Sequence, residues 1–145
     1  MKRAVILVLL GGLLNAAALD ATCYRDNDKN VVICSEAKLG KLMWQDEVRN
    51  FEWTWEQANE YCRLINIAGF DDWRLPTIDE LISITDKSKI NPAINSAFKN
   101  TEFNWYWSST RGVDDPSRVW AVNFWYGDYW NNAPGRCFVR CVRDD

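Results

Sequence analysis

The 145-residue chain contains no histidine. That absence removes the commonest general base, the commonest transition-metal ligand and the usual partner of a serine or cysteine nucleophile. Basic residues are also scarce, 17 Lys and Arg against 20 Asp and Glu, and they form no stripe able to neutralise phosphates. Nucleic acid is therefore disfavoured as a partner, as is tight binding to heavily sulfated polymers unless basic residues gather locally. Long apolar runs are missing beyond the N-terminus, so no membrane span is expected in the mature chain. No internal repeat and no linker divides the sequence.

The N-terminus reads as a secretory signal peptide. Met1-Lys2-Arg3 gives a basic start, an apolar run extends from Ala4 to Leu14, and Asn15-Ala16-Ala17-Ala18 supplies small residues for cleavage after Ala18, with Ala21 as the other choice. The run is too short to span a bilayer, and Thr22 before Cys23 argues against a lipoprotein anchor. Residues 1–18 are thus assigned to the leader, 19–38 to an N-terminal hairpin extension and 39–145 to the main domain. Losing Lys2 and Arg3 leaves 15 basic against 20 acidic residues, a mature net charge of −5. The expected localisation is secreted, periplasmic or cell-surface. In that setting disulfides are the default use of Cys23, Cys34, Cys62, Cys137 and Cys141, and an odd number leaves one thiol free or paired between molecules.

The chain is organised around Gly69-Phe70-Asp71-Asp72-Trp73-Arg74-Leu75-Pro76-Thr77. Gly, paired Asp and Pro punctuate it, yet Phe70, Trp73 and Leu75 are too apolar for a free loop. We read it as a buried connector anchored by Trp73. Thr77 with Glu80 forms a capping box that opens a helix from Ile78 to about Thr85, and Thr54 with Gln57 opens an earlier one carrying Trp55, Ala58, Cys62 and Ile65 at helical spacing. Residues 22–35 read as two short strands around an Asp/Asn-rich turn. Leu42 and Trp44 alternate with Lys41, Met43 and Gln45, which predicts a strand with one buried face. Residues 86–104 predict an irregular excursion. Trp105–Thr110, Val119–Phe124 and Cys137–Arg143 predict further strands separated by loops, with Trp120, Val122 and Phe124 pointing one way. Strands and two helices segregate, which predicts α+β with an antiparallel sheet.

The chain resembles the Lcl C-terminal domain family, named for a collagen-like bacterial adhesin. The resemblance rests on Leu42-Met43-Trp44-Gln45-Asp46, Ala58-x-x-Tyr61-Cys62, the Gly69 to Thr77 stretch with Glu80-Leu81, Tyr106-Trp107-Ser108-Ser109-Thr110, Trp120-x-Val122-x-Phe124-x-x-Gly127 and Val139-Arg140-Cys141-Val142-Arg143. It spans roughly residues 39–143. It implies a C-type-lectin-like fold related to formylglycine-generating enzymes: two helices on a small twisted antiparallel sheet with long C-terminal loops. It also implies a Cys62–Cys141 bridge, closing a loop worth about 4 kcal/mol in the chain-entropy model. Residues 19–38 lie outside the pattern, which favours a separate Cys23–Cys34 bridge and leaves Cys137 as the odd thiol.

Nine tryptophans set the functional question. Trp44, Trp55, Trp73, Trp107 and Trp120 sit on periodic apolar faces and are expected in the core. Trp125 and Trp130 fall in a predicted loop, among Tyr126, Asp128, Tyr129, Asn131 and Asn132. Rings beside amides and carboxylates suit recognition of sugars or proteins, and relatives of this fold bind ligands in this region. The candidate ligand-binding residues are therefore Trp125, Tyr126, Asp128, Tyr129, Trp130, Asn131, Asn132 and Arg136, with Arg111, Asp114 and Asp115 able to join them; a loop collapsed on its own aromatics is the competing account. No cofactor is expected. Calcium would need Asp114, Asp115 and Asp128, for which solvated turn acids are the favoured reading. Catalysis is disfavoured, because Cys137 and Cys141 lie ~13 Å apart on a regular strand and the Asp71-Asp72 and Asp79-Glu80 pairs suit a helix N-terminus. The expected function is an exported, non-catalytic binding module for a glycan or surface polymer, the alternative being a protein-interaction module, with homo-oligomerisation open.

Overall fold

The computed structural model describes residues 21–47 and 51–145, so the expected leader lies outside the described residues. Nine elements follow in order: β1 (Thr22–Asp26), β2 (Val31–Glu36), β3 (Gly40–Gln45), α1 (Trp55–Leu64), α2 (Ile78–Ser83), β4 (Trp105–Arg111), β5 (Val119–Asn123), β6 (Asp128–Trp130) and β7 (Val142–Asp144). The class is α+β, but the strands form two antiparallel sheets where one was expected, a four-stranded sheet β1-β2-β3-β7 and a three-stranded sheet β4-β5-β6.

Local chemistry accounts for the elements. In the β1–β2 turn the Asp26 carboxylate accepts from the Asp28 and Lys29 N–H groups at 3.0 and 3.2 Å, and Asn30 adopts a φ of 53° that its side chain tolerates better than most. Cys23 faces Cys34 across the ladder and is bonded to it. The hairpin is not free-standing, because β2 is hydrogen-bonded to β3 along its length. Both helices open with complete capping boxes, Thr54 with Gln57 and Thr77 with Glu80. The second helix ends at Ser83, slightly earlier than its periodicity implied.

Two hydrophobic clusters share the strands between them. Val31, Ile33 and Met43 join one cluster with Ala58 and Cys62 of α1, Trp73, Trp107 and Ala121. Their neighbours Val32, Cys34, Leu42 and Trp44 join the other, with Leu81 and Ile84 around α2, Phe98, Val122 and Phe124. Each central strand is therefore buried on both faces, which corrects the one-faced reading of residues 41–45: Met43 and Gln45 are as enclosed as Leu42 and Trp44. Trp120 is a second correction. It is half-buried and belongs to neither cluster, its ring lying 5.9 Å from Tyr129.

The 69–77 connector is anchored as expected, though Asp71 and Asp72 remain exposed. Trp73 Nε1–H donates to the Ile67 and Phe70 carbonyls at 3.2 and 3.0 Å. Arg74 bridges to Val142 through its backbone and grips Glu80 with two 2.7 Å contacts, while Asp72 holds Arg143 at 2.6 and 3.1 Å. The C-terminal segment is not one strand from Cys137 to Arg143. Cys137 pairs with Trp53 and Phe138 with Tyr106, after which the chain crosses to the other sheet and resumes as β7. Cys62–Cys141 bonds α1 to this crossing with a sequence separation of 79.

A buried ionic node lies beside the crossing. Arg140 and Asp46 are 3 % and 0 % exposed. Arg140 Nη1 donates to Asp46 Oδ1 at 3.0 Å and to the Gln45 carbonyl at 2.6 Å, and its Nη2 donates to the Asn100 carbonyl and Thr101 hydroxyl. Asp46 accepts the Lys99 and Asn100 N–H groups at 2.9 and 3.1 Å and meets Arg25 at 3.1 Å.

Two outcomes are expected. Removing one partner of a buried pair leaves the other charge uncompensated, so Asp46→Ala should cost about 3–5 kcal/mol by denaturant unfolding, against a small effect for exposed Glu60→Ala. The second concerns acid. Hydrogen bonding to Arg143 lowers the Asp72 pKa, and although burial raises that of Glu80, hydrogen bonds from Arg74 and the Thr77 N–H outweigh it and lower it as well. Depressed carboxylates stabilise the fold above their unfolded pKa values, and that contribution is lost as pH falls through the folded ones. Thermal stability should therefore hold from neutral pH down to about 5 and decline below about 4, with a shallower decline in Glu80→Gln.

Candidate functional site

The stretch expected as a loop after β5 contains a third strand. Gly127, at a φ of 82°, closes a turn whose Gly127 N–H donates to the Asn123 carbonyl at 2.8 Å. The residue is buried, and a Cβ there would meet Lys87 Cγ at 3.4 Å and Ala93 Cβ at 3.5 Å. Backbone bonds from Asn91 to the Trp125 carbonyl and from Ala93 to the Phe124 carbonyl pin the turn to the 86–95 segment. The chain then returns as β6, in register with β5 through Asn123↔Asp128, Val122↔Tyr129 and Ala121↔Trp130.

That register sorts the aromatic residues onto different faces. Cross-strand partners project to the same side, so Trp105, Asn123 and Asp128 form one row, and Trp107, Ala121 and Trp130 the next. The small Ala121 side chain between two tryptophans leaves room above the sheet. A cleft of about 700 Å³ opens there, lined by Trp105, Asn123, Asp128, Tyr129, Trp130, Asn132 and Pro134. Trp130 is 57 % exposed. Asn123 Oδ1 is engaged by the Trp125 N–H at 2.8 Å. Among the described residues no hydrogen bond or ion pair occupies the Asp128 carboxylate, the Asn132 amide or the indole N–H groups of Trp105 and Trp130.

The sequence candidates therefore separate. Asp128, Trp130 and Asn132 meet in the cleft; Tyr129 lines it as the strand residue between Asp128 and Trp130, its ring lying on the other face beside Trp120, and Asn131 lies between two lining residues without lining it. Trp125 and Tyr126 sit at the turn, their rings 5.9 Å apart, with Phe103 6.3 Å from Trp125. Arg136 directs Nη1 toward the Glu52 carbonyl at 3.5 Å. Arg111 covers the Trp55 ring at 4.3 Å. Asp115 accepts from Ser117 and pairs with Arg118, an arrangement internal to its own turn. Trp105, Asn123 and Pro134 were missed. Trp105 and Asn123 have strand character, and only the cross-strand register brings them beside Asp128. No group of three acidic or cysteine side chains gathers as a cation site among the described residues.

A second concavity of about 510 Å³ runs along α1, lined by Trp53, Glu56, Gln57, Glu60, Tyr61, Leu64 and Ile65. It is almost wholly apolar, and Trp53 stacks on Tyr61 at 5.5 Å.

Cys137 is the free cysteine, 1 % exposed, with Sγ 3.5 Å from the Pro134 carbonyl. Burial and the nearby Glu52 carboxylate push its pKa up to about 12. It is held as a thiol and hidden from other chains. Thiol titration of native protein should accordingly be slow and substoichiometric, with one equivalent appearing on unfolding without reductant. An intermolecular disulfide would instead give no thiol after unfolding and a dimer on non-reducing gels.

The family model described as the Lcl C-terminal domain matches residues 36–143, from the end of β2 into β7, and no curated protein or solved structure matches the chain. The match covers both helices and the whole cleft-bearing sheet, and the chain belongs to the Lcl C-terminal domain family.

Proposed function

We propose that this is an exported, non-catalytic binding module with a C-type-lectin-like fold, which recognises a glycan or surface polymer, as an adhesin domain does, in the cleft on the β4-β5-β6 sheet. The observation that carries the reading is the convergence of exposed Trp130 and half-buried Trp105 with Asn123, Asp128 and Asn132 in one cleft. Indole faces match the C–H faces of pyranose rings, and amides and a carboxylate offer partners to hydroxyls. Because Trp105, Asn123 and Asp128 stand on paired strands, much of this geometry is held before ligand arrives, which lowers the ordering cost. Two disulfides are compatible with an oxidising compartment, and among the described residues no helix is long and apolar enough to cross a membrane. The non-catalytic reading draws on a chain without histidine and a free thiol held far from its thiolate form.

A protein-interaction module is the second reading, favoured by the apolar α1 groove and its stacked Trp53 and Tyr61.

A glycan array probed with mature, oxidised protein separates them. We expect selective hits that weaken by at least about 10-fold in a Trp105→Ala/Trp130→Ala variant, the scale for losing central aromatic anchors, and that persist with chelator and in Trp125→Ala. Hits lost in Trp125→Ala but retained in the double variant would move the site to the turn. A blank array from folded protein would favour the protein-binding reading.

A further inference from the structure

We propose that the cleft selects saccharides carrying a free amine over neutral or anionic ones, with the Asp128 carboxylate as countercharge to the ammonium. The proposal rests on the glycan reading above and names the ligand class within it.

Its basis is the charge pattern of the cleft. Strand pairing places Asp128 beside Asn123 and, two residues along β6, on the same face as Trp130. Among the described residues its carboxylate has no partner and no lysine or arginine lines the cleft. Two cations on neighbouring segments make contacts of their own. Lys87 Nζ stands 5.7 Å over the Tyr129 ring, and strand alternation directs that side chain to the opposite face of the sheet, where it packs against Trp120. Arg136 points toward the Glu52 carbonyl.

Each saccharide class then meets a different field. A uronate or sulfate would face an uncompensated carboxylate in a chain that is acidic as a whole. A neutral sugar could stack and hydrogen-bond but would leave the charge unused. An ammonium gains twice: the carboxylate attracts it, and indole faces attract cations through the ring quadrupole, Trp being the strongest of the aromatic side chains in this respect. Asn123 and Asn132 remain for the hydroxyls.

Calorimetry with three oligosaccharide probes of matched length tests the proposal: chitosan (free amines), chitin (the same sugars N-acetylated) and alginate (uronates), at mildly acidic pH where the amines are protonated. Chitosan should bind roughly 10-fold tighter than chitin, alginate weakest, and added salt should narrow the gap. Asp128→Asn, at an exposed position, should erase the preference, chitosan falling to the affinity of chitin, with near-ultraviolet dichroism unchanged. Equal affinity for chitosan and chitin, a preference for alginate, or an unaltered preference in Asp128→Asn would each overturn the proposal and leave the glycan reading standing. Poly-lysine binding without chitosan binding would overturn it too and assign the cleft to basic protein segments. Silence from every saccharide would bring down both readings.

Discussion

The fold turns on one buried ion pair. Asp46 and Arg140 meet where β3 ends and where the C-terminal segment crosses between sheets, and neither has access to water. Charges so placed are tolerable when hydrogen bonds offset their desolvation, and of the three Arg140 guanidinium nitrogens only Nε goes without a partner among the described residues. Here the carboxylate collects backbone N–H groups from Lys99 and Asn100, while the guanidinium reaches the Gln45 and Asn100 carbonyls and the Thr101 hydroxyl. The same guanidinium lies 4.8 Å over Phe98 and 5.6 Å over Tyr106. One pair thus ties the four-stranded sheet, the irregular 86–104 segment and the aromatic core of the three-stranded sheet.

Around that node the two hydrophobic clusters divide the molecule without dividing it into domains. Alternate residues of β2, β3, β4 and β5 feed opposite clusters, and each helix covers one of them. Neither sheet can move without disturbing both cores. Cys62–Cys141 and the Arg74 and Asp72 contacts tether α1 and the 69–77 connector to the C-terminal segment.

This rigidity is what lets β6 project. A three-residue strand at a sheet edge has little stability of its own, and all three of its residues are exposed. It is held by pairing with β5 and by a turn wedged against Lys87 and Ala93. Aromatic side chains that would collapse inward on a free loop stand outward because their backbone is already committed.

Much of this was legible in the residues. Capping boxes at Thr54 and Thr77, the Trp73 anchor and the Asp/Asn turn before β2 are local signals, resolved within a few residues by hydrogen bonds the side chains make to their own backbone. The Cys62–Cys141 pairing came from family resemblance, and aromatic and amide composition pointed to Asp128, Tyr129, Trp130 and Asn132, which line the cleft, but not to Trp105, Asn123 or Pro134. What composition cannot supply is register. Whether Trp130 stands beside Trp105 or beside Trp125 depends on Gly127 closing its turn at Asn123, because a slip of one residue would exchange the faces. The two-faced burial of β3 was hidden for a related reason: Lys41 and Gln45 look polar in sequence, and only the second core and the Tyr61 hydroxyl show where Gln45 finds its partner. Local hydrogen bonding and periodicity thus determined the elements, whereas long-range pairing, which joins residues far apart in the chain, decided which side chains share a face and so where the cleft lies.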